Sequence, residues 1–68
     1  METYKELVLL AIKTERAGDY SYAQQLWERA APLTKNPVKK MFCRKHAEFL
    51  NAWMARLYKA RREELQHA

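Results

Sequence analysis

Apolar and polar positions along this chain alternate with a period of three to four residues almost throughout, and the few breaks in that period divide it into three helices. Thr3 followed by Glu6 makes a capping box, which predicts a first helix over 4–17. Within it Tyr4, Leu7, Val8, Ala11 and Thr14 form one stripe, and Leu9, Leu10 and Ile12 widen that stripe to two sides. The run LVLLAI has the composition of a strand, but its polar, Ala-rich flanks and the glycine stop behind it favour a helix. Gly18 supplies the left-handed residue that closes the first helix, and Asp19 or Ser21 can cap the next.

The second helix is expected over 20–32. Tyr22, Ala23, Leu26, Trp27, Ala30 and Leu33 share a face, opposite Gln24, Gln25, Glu28 and Arg29. Pro32 ends or kinks it. Asn36 and Pro37 are a strong restart, Asn as N-cap and Pro at the first helical position, and no breaker follows before Gln66. The third helix therefore spans 37–66, about 45 Å at 1.5 Å per residue. Turned at 100° per residue, its apolar positions cover roughly 200°, whereas packing against one neighbour needs about 100°. One edge, Val38, Phe42, Phe49 and Trp53, is expected to cover the first two helices. The other, Cys43, Leu50, Met54, Leu57 and Tyr58, is expected to stay open for a second chain.

Composition agrees with this reading. At 68 residues the chain makes one helical domain, 1–68, and so small a domain buries only about 60% of the surface its unfolded form exposes. Small domains lean on disulfides, a metal or a partner. Here there is one cysteine, Cys43, and two histidines, His46 and His67, which are too few for a zinc set, so no cofactor is expected and a partner subunit is. The longest apolar run, Leu7 to Ile12, is too short to span a bilayer or to form a signal-peptide core. With a lone thiol, this points to a cytoplasmic protein.

The charge of +5 is unevenly placed. Residues 1–34 hold four Lys or Arg against five Asp or Glu, and residues 35–62 hold nine against Glu48 alone, a local net of +8. A basic half suits nucleic acid or an acidic protein surface. The cations Arg44, Lys45, Arg56, Lys59, Arg61 and Arg62 are spread around the third helix rather than gathered on one stripe, and Asn51 is the only amide there before Gln66. That is not the pattern of a helix that reads bases in a major groove, so these cations are assigned to steering an acidic partner, with a nonspecific phosphate grip as the alternative. Lys40, Arg44 and Lys45 around Cys43 would activate a thiol. Without a second cysteine to resolve it, Cys43 is assigned to the core. His46 with Glu48 or Cys43 lacks the further partners a catalytic pair needs, so no enzyme is expected.

The segment from Glu6 to Pro37 looks like one tetratricopeptide repeat: Ala11 inside the first helix, the turn Gly18, Asp19, Tyr20, then Ala23, Trp27 and Ala30 inside the second. A single copy cannot bury its own faces, so the third helix serves as both cap and interface. The whole chain also resembles the ANR family of small bacterial regulators, named as negative regulators of AraC-type transcription activators. Two blocks carry the resemblance. The first is matched by Ala11, Glu15, Gly18, Asp19, Tyr20, Ala23, Leu26, Trp27 and Ala30, and the second by Phe42, Cys43, Ala47, Glu48 and Phe49. His46 stands where the family pattern has Arg, and Leu50 where it has Cys, which removes any paired-cysteine chemistry.

The resemblance implies an all-α protein that binds an AraC-type activator, blocks its dimerisation or DNA binding, and so closes a negative feedback loop on virulence or colonisation genes. It also implies self-association, and relatives have been proposed to bind nucleoid-associated proteins. The expected contact residues are Leu9, Ile12, Leu50, Trp53, Met54, Leu57 and Tyr58.

Overall fold

A computed structural model of the chain describes residues 2–67. Among them it has three α-helices, α1 (Tyr4–Arg16), α2 (Tyr20–Ala30) and α3 (Pro37–His67), with a 3-10 turn at Ala31–Leu33 between the last two. The helices begin where the caps put them. Thr3 Oγ1 accepts from the Glu6 N–H at 3.2 Å and Asp19 Oδ1 from the Tyr22 N–H at 3.2 Å. Asn36 Oδ1 accepts from the N–H groups of Val38 at 2.9 Å and Lys39 at 3.2 Å. Each cap satisfies donors that a helix start leaves bare. Asp19, rather than Ser21, caps α2, and α2 stops at Ala30, two residues earlier than expected, because Pro32 draws the chain into the 3-10 turn.

Gly18 has φ 89°, a conformation that L side chains rarely adopt, and a Cβ there would meet nothing within 4 Å. Its role is purely to turn the backbone. That turn folds α2 back along α1, so that Arg29 near the far end of α2 pairs with Glu2 just before α1. α2 is the middle element, with α1 and α3 both packed against it.

The core consists of Leu7, Ala11, Ala23, Leu26, Trp27, Ala30, Ala31, Cys43, Ala47 and Leu50, with Tyr4, Val8, Ile12 and Tyr20 packed around it. Five of these ten are alanines, so the helices approach closely but bury little apolar area, and at about 25 cal/mol per Å² each large side chain carries a large share of the stability. Leu26 and Leu50 are the largest that are fully enclosed.

α3 is 31 residues long against 13 for α1 and 11 for α2. At 1.5 Å per residue that is about 46 Å against about 20 and 16 Å, and the molecule's longest dimension is 49 Å. Past Leu50 no described side chain of α3 is buried, and Met54 alone is half-covered. The second half of α3 therefore projects beyond the hairpin. No described helix is long and apolar enough to cross a membrane.

Over residues 37–50 the two edges of α3 are exchanged relative to the sequence expectation, while Leu57 and Tyr58, expected to stay open, are exposed. Cys43, Ala47 and Leu50, one face at i, i+4 and i+7, lie against the hairpin. Leu50, expected at an open interface, is 1% exposed, while Val38, Phe42 and Phe49, expected to cover the hairpin, are 76%, 55% and 57% exposed. The reason is geometric. The distance between packed helix axes is set by the side chains at the contact; Ala23 and Ala30 of α2 share one core with Cys43 and Ala47 of α3, whereas a row of Phe rings would hold the helices further apart.

Candidate protein-binding surface

The large side chains displaced from the hairpin line up on the outer face of α3. Val38, Phe42, Phe49 and Trp53 follow one another at intervals of four, seven and four residues, which brings them within about 60° of arc at 100° per residue. Lys45 and Arg56 fall on the same line, and both are exposed. Met41, 62% exposed, borders it. The face is unlike the ordinary surface of a small domain, where large apolar residues are scattered singly.

Phe42 is a ridge between two clefts. One, about 370 Å³, lies between α1 and α3 and is lined by Val8, Ile12, Glu15, Arg16, Trp27, Phe42 and His46. The other, about 420 Å³, is shallow and lined by Pro37, Val38, Met41, Phe42 and Lys45.

An aromatic ladder holds the ridge in place. The His46 ring stacks on Phe42 at 5.6 Å with 6° between planes and on Phe49 at 5.8 Å with 22°. The buried Trp27 indole meets Phe42 edge-on at 5.6 Å and His46 at 4.8 Å. Such pairs contribute about 0.5–1.5 kcal/mol each beyond area burial. Below them, Glu15 Oε1 accepts from Trp27 Nε1–H at 3.2 Å and lies 2.7 Å from His46 Nε2. One carboxylate oxygen thus ties α1 to both α2 and α3. Every buried side-chain polar atom described has a partner.

The sequence reading did not find this network: it weighed His46 as a metal ligand, as a catalytic partner and as a departure from a family pattern, and Glu15 as a match to that pattern. A signal was present. Leu7, Ala11 and Glu15 sit at i, i+4 and i+8 on the buried line of α1, and His46 lies between Phe42 and Phe49 on α3, so both polar residues occupy half-covered positions that require partners.

A second link joins the other end of α1 to α3: the Cys43 thiol donates to Tyr4 Oη at 3.9 Å, a long sulfur contact. Burial, and after it the Cys43 contact, raise the Tyr4 phenol above its ordinary pKa. Lys39 Nζ lies 5.7 Å from the Tyr4 ring centroid. Cys43 itself is free and buried.

The remaining expected site residues divide. Ala11, Ala23, Trp27 and Ala30 are buried, Tyr20 packs at the core's edge, and Gly18 and Asp19 make the turn and cap. Of the expected contact residues, Leu9, Trp53, Leu57 and Tyr58 are 57%, 38%, 43% and 67% exposed. Ile12 and Met54 are half-buried and Leu50 is inside. Arg44, Lys45, Arg56, Lys59, Arg61 and Arg62 are all exposed, and among the described residues none of them takes part in an ion pair. No described group of three His, Cys, Asp or Glu side chains converges on one point, and the His67 side chain lies outside the described residues. Comparisons with protein-family models, with curated proteins and with solved structures returned no match to this chain.

Proposed function

We propose that this chain is a protein-binding regulator that occupies an apolar surface of an AraC-type transcription activator and keeps it from productive dimerisation or DNA binding, as its resemblance to the ANR family implies. The observation that supports a binding role is the exposed apolar line of α3, stacked on the His46 ring and set among cations that make no ion pair with the described residues. Apolar contact supplies most of the affinity in such a surface, and charge sets the encounter rate and the choice of partner. The same reading makes the chain a binding protein and not an enzyme: Glu15 and His46, its one close carboxylate–imidazole pair among the described residues, are engaged by Trp27 and by two stacked rings. In this reading self-association uses the projecting half of α3, through Met54, Leu57 and Tyr58 with Trp53 at its edge, and Leu9 and Ile12 of α1 are secondary contacts.

Co-purification of the full chain with a panel of AraC-type activators, with gel shift in parallel, tests this. A complex that forms without DNA is the expected result. If the chain alone shifts duplex DNA at physiological salt and holds no activator, the unpaired cations of residues 35–62 are a phosphate grip instead, and the shift should fade steeply as salt rises.

A further inference from the structure

The line of large side chains on α3 is not uniformly apolar, and its charges say what can lie on it. Read along the helix, it runs Val38, Phe42, Lys45, Phe49, Trp53, Arg56, with spacings of four, three, four, four and three residues. This is the spacing by which one helix lies along another and sets its side chains between those of the first. The two cations are 11 positions apart, three helical turns or about 16 Å. No acidic side chain interrupts the line between Val38 and Arg56, and residues 35–62 contain only Glu48.

We infer that this line is the docking seam for an amphipathic helix of a partner protein, one that presents apolar residues to Phe42, Phe49 and Trp53 and two carboxylates, three turns apart on the same face, to Lys45 and Arg56. The inference rests on the protein-binding reading above and specifies the partner's chemistry. The clefts on either side of Phe42 accept side chains from such a helix, which is how a helix seats in a groove. Charge selects this occupant over a second copy seated on the same line, because two such lines laid together would set Lys45 and Arg56 of one copy against those of the other with no carboxylate on either line to pair them. Single-stranded nucleic acid, which stacks its bases on aromatic faces, finds fewer of them here, since Phe42 and Phe49 each give one face to His46, and it is the competing occupant that the test includes.

The test uses the full chain and two designed helical peptides with Leu at the seam positions. One carries Glu at two seam-facing sites 11 residues apart, and the other carries Lys at the same sites. Fluorescence anisotropy should show the Glu peptide binding at least tenfold more tightly than the Lys peptide. The exposed double variant Lys45→Glu with Arg56→Glu should reverse that preference, and a circular-dichroism spectrum unchanged from the parent checks its fold. Equal binding of both peptides, no binding of the Glu peptide, or a preference that the double variant leaves unreversed would overturn the proposal. So would displacement of the Glu peptide by a single-stranded oligonucleotide, or a dimer in sedimentation that Phe49→Glu splits. If the seam behaves as expected while no AraC-type activator co-purifies, the identity of the partner falls and the seam stands.

Discussion

The two faces of α3 carry opposite kinds of side chain. Against the hairpin lie Cys43, Ala47 and Leu50, two small residues and one large; on the outside stand Val38, Phe42, Phe49 and Trp53, all large. The smaller set is the one that folds the protein. Close helix packing is a matter of fit before it is a matter of hydrophobicity, so bulky apolar residues left outside a thin, alanine-rich core are available for another molecule. The division continues along the helix, since residues 37–50 carry all the buried positions of α3 and residues 51–67 carry none among the described side chains.

The sharpest way to break this comparison is to substitute neighbours on the two faces. Leu50→Ala should cost about 2–5 kcal/mol, enough to unfold much of a domain this small. Phe49→Ala, one residue away, should cost only about 0.5–1.5 kcal/mol through its lost stacking on His46. Urea denaturation followed by circular dichroism distinguishes them; equal losses would mean that the faces are not divided in this way.

Adding volume probes the same contrast from the other side. Ala47→Leu should destabilise by about 1–3 kcal/mol, since there is no room against α2, while Ala52→Leu on the open face should change stability by no more than about 0.5 kcal/mol. Gly18→Ala tests the turn that both faces depend on. With φ 89° and no neighbour to clash, its cost is conformational alone, about 1 kcal/mol.

The smallest effect concerns Tyr4. Its folded-state pKa is raised, chiefly by burial, so the fold favours the protonated phenol. That contribution is fully present below the unfolded value of about 10 and is lost as pH rises through the folded one. Alkaline titration of stability should show a steeper fall for the parent than for Tyr4→Phe, and identical profiles would count against the Tyr4–Cys43 link.

Much of this architecture was legible in the sequence because caps and breakers act locally. Thr3, Gly18, Asp19, Asn36 and Pro37 each mark an end through their own backbone chemistry, and the three helices follow. The buried face of α2 was legible for the same reason, Ala23, Leu26, Trp27 and Ala30 forming one periodic line. The orientation of α3 was not. Its apolar arc is wider than one interface needs, so periodicity leaves two solutions, and ranking positions by hydrophobic size selects the wrong one. The deciding quantity is the fit between the small residues of α3, Cys43 and Ala47, and the core they share with Ala23 and Ala30 of α2, a relation between segments that neither segment displays alone. The Glu15–Trp27–His46 network was hidden likewise, since its three members come from three helices.

The central claim is that α3 turns its small-residue face inward and its aromatic line outward, and thiol labelling reads this directly. The parent's Cys43 should react with a maleimide only when the domain opens, about 100-fold slower than in the urea-unfolded chain, while Phe49→Cys placed in a Cys43→Ala background should label at nearly the unfolded rate. Rapid labelling of Cys43 together with protection at position 49 would contradict the account.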